Sequence, residues 1–237
     1  MSGQQVDPEA VRFFRHARAS VLARIEAAAE RARRDPAAIS LVAVSKTVPA
    51  ERVRAAVAAG LDLLGENRVQ EAADKIPAVD GARWHLLGPL QGNKARRAVE
   101  LFDVIESVGS VELAERLDRL AAELRPGRPL PVLVQVNVDV DPAKAGFGPD
   151  AVEAALPALL ALPSLRIEGL MTIGRLVADP AEARATFRGL RERSEALRRA
   201  FPALGPALSM GMSDDFEVAV EEGATIVRVG RAIFGER

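Results

Sequence analysis

The chain contains no cysteine and no tyrosine, one tryptophan, and two histidines, His16 and His85. Without cysteine there is no disulfide, no thiolate nucleophile and no cysteine metal site. Two histidines so far apart in sequence exclude an all-histidine or HExxH centre, so no metal is expected. Long apolar runs are missing too. No stretch approaches the 18 consecutive apolar residues of a membrane span, and the N-terminus has no apolar signal core. Neither spanning nor secretion is expected, and the cytoplasm is the default location. Net charge is −1, so no global field draws the chain to nucleic acid or to an anionic membrane.

Lysine is also scarce. Of 32 basic residues only Lys46, Lys75, Lys94 and Lys144 are lysines; the other 28 are arginines, which do not deprotonate and cannot act as amine nucleophiles. A chain that uses arginine for plain positive charge has nevertheless placed a lysine at the end of LVAVSK, residues 41–46.

What is present describes a soluble globular protein, 49% hydrophobic and 27% charged over 237 residues. That length buries one sizeable core, as a single α/β barrel or as two small domains. Residues 8–33 carry apolar positions at Val11, Phe14, Val21, Leu22 and Ile25, the spacing of an amphipathic helix. From residue 40 short apolar runs alternate with helical patterns. The runs predict strands at 40–45, 61–65, 83–87, 102–107, 131–137, 165–170, 206–209 and 225–229. Helices are predicted near 49–59, 67–76, 92–99, 109–124, 150–161, 181–199 and 213–221. Continuous apolar runs such as LPVLVQVNV suit strands covered on both faces. Eight such units fit a single (β/α)8 TIM barrel with an extra N-terminal helix, one domain over residues 1–237. A doubly wound sheet would place a glycine-rich turn after its first strand, and VSKTVPAERV has no glycine. Residues 174–180 read, on composition, as a mobile loop.

In such a barrel the chemistry belongs at the C-terminal strand ends. Lys46, Gly65-Glu66-Asn67, Gly88, Asn137, Met171-Thr172, Ser209 to Met212 and Gly230-Arg231 would share that rim. Lys46 is either a lysine whose stem packs while its amine is solvated or paired, or a partly desolvated amine able to form a Schiff base. Lys75 reads as a solvated lysine on a helix surface, while Lys94 and Lys144 could assist at the rim. VRVGRAIFG, residues 227–235, is either a glycine-ended strand with a closing helix or an anion site after the last strand. Ser209 and Gly211 would lie beside that site. Alternation that turns Val227 and Val229 outward turns Arg228 toward the axis. A buried arginine needs a carboxylate or a ligand acceptor, and a pyridine nitrogen would serve. Asn67 and Asn137 read as ligand-orienting amides, and Glu66 as a cap for the next helix. His85 is a core histidine or a catalytic one. Ser213 is expected to cap a helix, with Asp214 and Asp215 in its first turn rather than on magnesium.

Together LVAVSKTVP, GENRVQE, WHLLGPLQGNK, GLMTIG, LSMGMSDDFEVAVEEGATIVRVG and RAIFG resemble the pyridoxal phosphate homeostasis protein family over residues 41–235. That family is similar in fold to the barrel domain of bacterial alanine racemase. The resemblance implies pyridoxal 5′-phosphate (PLP) as cofactor and no established turnover. It places the cofactor lysine at Lys46 and the phosphate contacts at Ser209, Gly211, Gly230 and Arg231. It puts the arginine near the pyridine nitrogen at Arg228, and Asn67 beside the cofactor. The family's frequent His-Ser-Val-Asp is Glu106-Ser107-Val108-Gly109 here, Ala145 stands where many members have serine, and Arg231 stands where threonine or another small residue is common. The racemase's tyrosine partner has no counterpart in a chain without tyrosine, and an arginine at the ring nitrogen weakens the ring as an electron sink. The expectation is therefore a carrier of PLP that supports vitamin B6 and amino-acid homeostasis, not an enzyme, with PLP-dependent enzymes as possible clients and a monomeric state. The alternatives are a slow PLP-dependent enzyme acting on amino acids, or a scaffold that binds a partner and no cofactor.

Overall fold

The computed structural model describes residues 6–175, 177 and 179–235. The loop expected at 174–180 therefore includes two positions outside the described residues. Eight parallel strands, β1 (Ser40–Val44), β2 (Leu63–Glu66), β3 (Arg83–Leu86), β4 (Val104–Val108), β5 (Leu130–Gln135), β6 (Leu165–Met171), β7 (Ala207–Ser209) and β8 (Ile226–Val229), close in sequential order into a barrel. Closure is made by β1 on β8, with Val42 opposite Arg228 and Ala43 opposite Val229. The expected barrel is thus observed, with each of the eight predicted strands present and its ends shifted by up to two residues.

The crossovers are α2 (Ala50–Ala58), α3 (Val69–Lys75), α4 (Ala95–Leu101), α5 (Val111–Leu124), α6 (Pro149–Leu160), α7 (Arg184–Ala200) and α8 (Phe216–Glu221), with α9 (Arg231–Phe234) after β8. The N-terminal helix α1 (Pro8–Arg31) starts well: Asp7 accepts a hydrogen bond from Glu9 N–H, and Pro8 supplies the first helical position. It packs against α8, α2 and α9, so it covers the seam between β8 and β1. Phe14 is fully buried and meets Phe234 edge-on at 5.4 Å, and Arg24 makes a bidentate pair with Glu217 on α8. Burying an aromatic side chain of this kind stabilises by about 1.5–3 kcal/mol.

Strand alternation sorts the side chains into two layers. Ala43, Leu64, Trp84, Val227 and Val229 belong to the large core between the barrel and its helices, whereas Val42, Val44, Leu63 and Leu87, with Ile226, form a small separate cluster inside the barrel. The interior also carries a group of buried polar side chains. Glu106 on β4 is fully buried, with His85 Nδ1 2.5 Å from its Oε1 and Ser209 Oγ donating to its Oε2. Arg228 on β8, also buried, donates from Nη1 to Ser209 Oγ at 2.6 Å and from Nη2 to Thr172 O at 2.7 Å. The inward turn expected of Arg228 is observed, and its carboxylate partner lies on the opposite wall of the barrel. His85 is a core histidine tied to Glu106. Among the described residues no helix is long and apolar enough to cross a membrane, and no cluster of three or more acidic or histidine side chains could hold a metal ion.

Candidate functional site

Lys46 stands at the corner of a turn that leaves β1. Ser45 N–H completes the β1–β2 ladder to Gly65 O at 3.0 Å, and Val48 N–H folds back to Ser45 O at 3.0 Å. Thr47 between them takes φ +64°, a left-handed conformation that a β-branched residue adopts at a cost. Alternation keeps Ser45 beneath the helices and sends Lys46 over the mouth of the barrel. There its half-buried side chain lines a cavity of about 230 Å3.

The cavity has apolar lining from Val44, Leu87, Ile173 and Met212, and polar lining contributed by distant strands. Asn67 follows β2. Its backbone is held close to Gly88, where any Cβ would come within 2.1 Å of Asn67 O, so the β3 end must be glycine for this approach. Arg228 reaches the floor. A guanidinium carries five N–H donors, and the bonds to Ser209 and Thr172 engage Nη1 and Nη2. Burial pulls the Arg228 guanidinium below its ordinary value, against the charges of Glu106 and Asp215. The Glu106 carboxyl is pushed up by its own burial, but the His85 hydrogen bond and charge, the Arg228 charge and the Ser209 hydroxyl outweigh this and hold it below the usual carboxylate range. The floor is therefore a positive group steadied from beneath by a negative one.

At the far end lie Ser213, Asp214, Gly230 and Arg231. Ser213 Oγ accepts from Gly230 N–H at 3.2 Å, which joins the loop after β7 to the start of α9. The Arg231 side chain pairs with Asp214 at the surface.

Of the residues singled out in the sequence, Lys46, Asn67, Arg228, Gly230 and Arg231 meet in this cavity. Ser209 and Gly211 do not line it. The Ser209 hydroxyl is engaged by Glu106 and Arg228 beneath the floor, and Gly211 O accepts the Arg228 backbone N–H at 3.0 Å. Gly211, at φ +91°, is required where it is: a Cβ there would come within 2.5 Å of the Ala219 Cβ.

Three expectations, for Ser213, Glu66 and Lys75, are corrected, and Asn137, Lys94 and Lys144 are placed away from the cavity. Ser213 does not cap α8. Asp215 occupies that position and accepts from Met212 N–H at 2.6 Å, which leaves the Ser213 hydroxyl for Gly230. Asn137 is spent on its own loop, donating to Asp141 O at 2.8 Å and accepting from Asp141 N–H at 3.1 Å. Glu66 caps no helix and Lys75 is not solvated: Lys75 is buried, with Nζ 2.5 Å from Glu66 Oε1, in the layer between β2 and α3. Lys94 and Lys144 do not line the cavity, although Lys144 Nζ donates to the carbonyl of Ile173, which does. A larger hollow of about 560 Å3 opens near Leu90, Ser110 and Arg116 on the same rim. It brings no amine nucleophile with it, so chemistry favours the smaller cavity.

A barrel whose strand-end lysine shares a small cavity with an arginine and a serine-anchored loop is the architecture of a cofactor-binding barrel, and residues 18–237 match the family described as alanine racemase, N-terminal domain. The chain is 45% identical over 223 residues to the pyridoxal phosphate homeostasis protein of Pseudomonas aeruginosa, covering 92% of this chain and 94% of that one. It is similar to the structure of PipY from Synechococcus elongatus with PLP bound, at 46% identity and a TM-score of 0.78, covering 90% of this chain and all of that one. Alanine racemase from Corynebacterium glutamicum, at 18% identity and a TM-score of 0.71 over 62% of its chain, shares the fold. The chain belongs to the pyridoxal phosphate homeostasis protein family.

Proposed function

We propose that this protein binds PLP in the Lys46 cavity and holds it covalently, as a carrier or buffer for cytoplasmic vitamin B6 rather than as an enzyme. The observation that carries the reading is the meeting of Lys46, Arg228 and the Ser213–Gly230 pair around one cavity of about 230 Å3. The donor set fits the group. PLP has an aldehyde, an aromatic ring nitrogen and a phosphate, and the cavity offers an amine, a guanidinium and a cluster of hydroxyl and backbone donors.

When bound, PLP supplies a reactive aldehyde and an electron-accepting ring. Lys46 would hold the group at its aldehyde end through the side-chain amine. Arg228 would donate to the ring nitrogen without giving up a proton, so the ring stays neutral. Asn67 would orient the ring edge. Ser213, Gly230 and the backbone of Arg231 would take the phosphate, where the α9 N-terminus leaves amides without helical partners. A neutral ring is a poor electron sink, and the absence of tyrosine removes one proton donor used by racemases; both favour holding PLP over turning a substrate. Release to PLP-dependent enzymes and a monomeric state complete the proposal.

The test is the absorption spectrum during titration with PLP, with Lys46→Ala alongside. A Schiff-base band in the parent that is trapped by borohydride and missing from Lys46→Ala is the expected result. Identical behaviour of the two proteins defeats the lysine assignment. Repeated turnover of an added amino acid would favour the enzyme reading.

A further inference from the structure

A second lysine sits behind the first. Lys75 on α3 donates from Nζ to Ser45 O at 2.8 Å, to Glu66 Oε1 at 2.5 Å and to Glu71 Oε1 at 2.8 Å. Each bond leads to a neighbour of Lys46. Ser45 is held twice, through its carbonyl and through its hydroxyl, which donates to the same Glu66 oxygen at 2.7 Å. Thr47 is held through its backbone N–H, which donates to the same Glu71 oxygen that Lys75 contacts. One buried ammonium therefore fixes the residues before and after Lys46, while Lys46 itself faces the other side of the strand.

The cost of this arrangement is visible. Lys75 and Glu66 are both buried, where an ion pair recovers its desolvation only with good geometry and further hydrogen bonds. Thr47 is in addition forced to φ +64°. A stability role alone would be met by an apolar residue packed beneath α3, and the neighbours Val69 and Ala72 are of that kind. What an apolar residue could not do is grip a carbonyl on one side of Lys46 and, through Glu71, an N–H on the other.

We propose that Lys75, acting through Glu66 and Glu71, is a positioning residue that holds the Ser45–Thr47 turn and so aims the Lys46 amine into the cavity. The inference rests on Lys46 being the attachment lysine. Lys75 does not line the cavity. Its contribution is to keep the turn in a conformation that Thr47 would otherwise leave, so that covalent capture of an aldehyde does not require the backbone to be reordered first.

The experiment compares affinity for PLP with affinity for pyridoxine 5′-phosphate, which has an alcohol in place of the aldehyde and can be anchored only non-covalently. The ratio of the two reports covalent capture alone. Lys75→Met removes the three Lys75 bonds, to Ser45 O, Glu66 and Glu71, that tie the two sides of the turn together. Glu71→Ala removes the Thr47 anchor with its link to Lys75 and leaves the Lys75–Glu66 pair, so it provides the answer if the first variant does not fold. Each should lower the ratio by roughly tenfold, the scale of a released backbone strain, with pyridoxine 5′-phosphate bound as in the parent. Adding Thr47→Gly to Glu71→Ala should restore the ratio, since glycine takes a positive φ without strain. An unchanged ratio in Glu71→Ala, or equal weakening of both ligands, overturns the proposal. Lys46→Ala in the same series separates the two failures: if it keeps the parent ratio, the attachment reading itself is wrong and the positioning role goes with it.

Discussion

Glu106 and Arg228 face one another from opposite strands of the barrel, Oε2 to Nη1 at 3.9 Å, with the Ser209 hydroxyl bridging them. The contact joins β4 to β8 directly through the interior, where barrels of this type usually carry branched apolar residues. It also fixes the guanidinium that forms the cavity floor. Glu106→Ala leaves Arg228 buried without its carboxylate, and breaking a buried pair in this way costs about 3–5 kcal/mol. Urea unfolding of the parent and the variant should show that loss, together with weaker PLP binding.

The two buried glutamates should respond to pH in opposite directions. Glu106 has a depressed carboxyl in the folded state, so its stabilisation is complete above the unfolded carboxylate pKa of about 4.3 and is lost as pH falls through the lower folded value. Burial raises Glu66 more than its bonds to Lys75 and Ser45 lower it. Its contribution is therefore present below the unfolded pKa and lost as pH rises through the folded one. Measured from pH 3 to 7, the stability of the parent relative to Glu106→Gln should rise, and relative to Glu66→Gln it should fall. Parallel profiles would show that the two carboxyls do not differ as their surroundings require.

Ser213→Ala removes the acceptor that ties the β7 loop to Gly230. With a net hydrogen-bond value of about 0.5–1.5 kcal/mol, PLP affinity should fall by roughly two- to tenfold while the Schiff-base band stays in place. Arg231→Ala should do much less, because its guanidinium is engaged in an exposed pair with Asp214 worth about 0–1 kcal/mol. Equilibrium dialysis with PLP distinguishes the two.

Gly211→Ala should destabilise by about 1–3 kcal/mol through overpacking, since the new Cβ meets the Ala219 Cβ at 2.5 Å and the Phe216 Cα at 2.9 Å. A thermal melt that matches the parent would mean that α8 can slide away from the loop without penalty.

The sequence made the barrel legible because strands covered on both faces cannot hide their apolar runs, and β5 and β8 show this clearly. Boundaries slipped where an apolar residue serves a different element. Leu61 falls in the apolar run that predicts β2, yet its N–H returns to Ala56 O in α2 and its side chain is buried in the core. Within the site, Lys46 and Arg228 were readable from scarcity and alternation. Lys75 was missed although its signal was present: Val69, Ala72 and Lys75 recur at three-residue spacing, which puts the lysine on the buried face of α3. Its scarcity was the same argument that singled out Lys46. Glu106 was passed over because its partners, His85, Ser209 and Arg228, come from three other strands, and no local pattern announces such a meeting. Ser213 and Asp215 are both good capping residues two positions apart, and only the loop geometry decides between them.

The packing of α1 over the β8–β1 seam has a consequence for biogenesis. The ribosome delivers α1 before any strand, but its partners α8 and α9 flank β8, the final strand, so Phe14 must wait for Phe234 and Arg24 for Glu217. During synthesis α2 can cover only part of the amphipathic face of α1, and the floor arginine of the cavity arrives with that same last strand. Cofactor competence and full shielding of the first helix should therefore be acquired together and late, which leaves part of α1 open to a chaperone until β8 has been made.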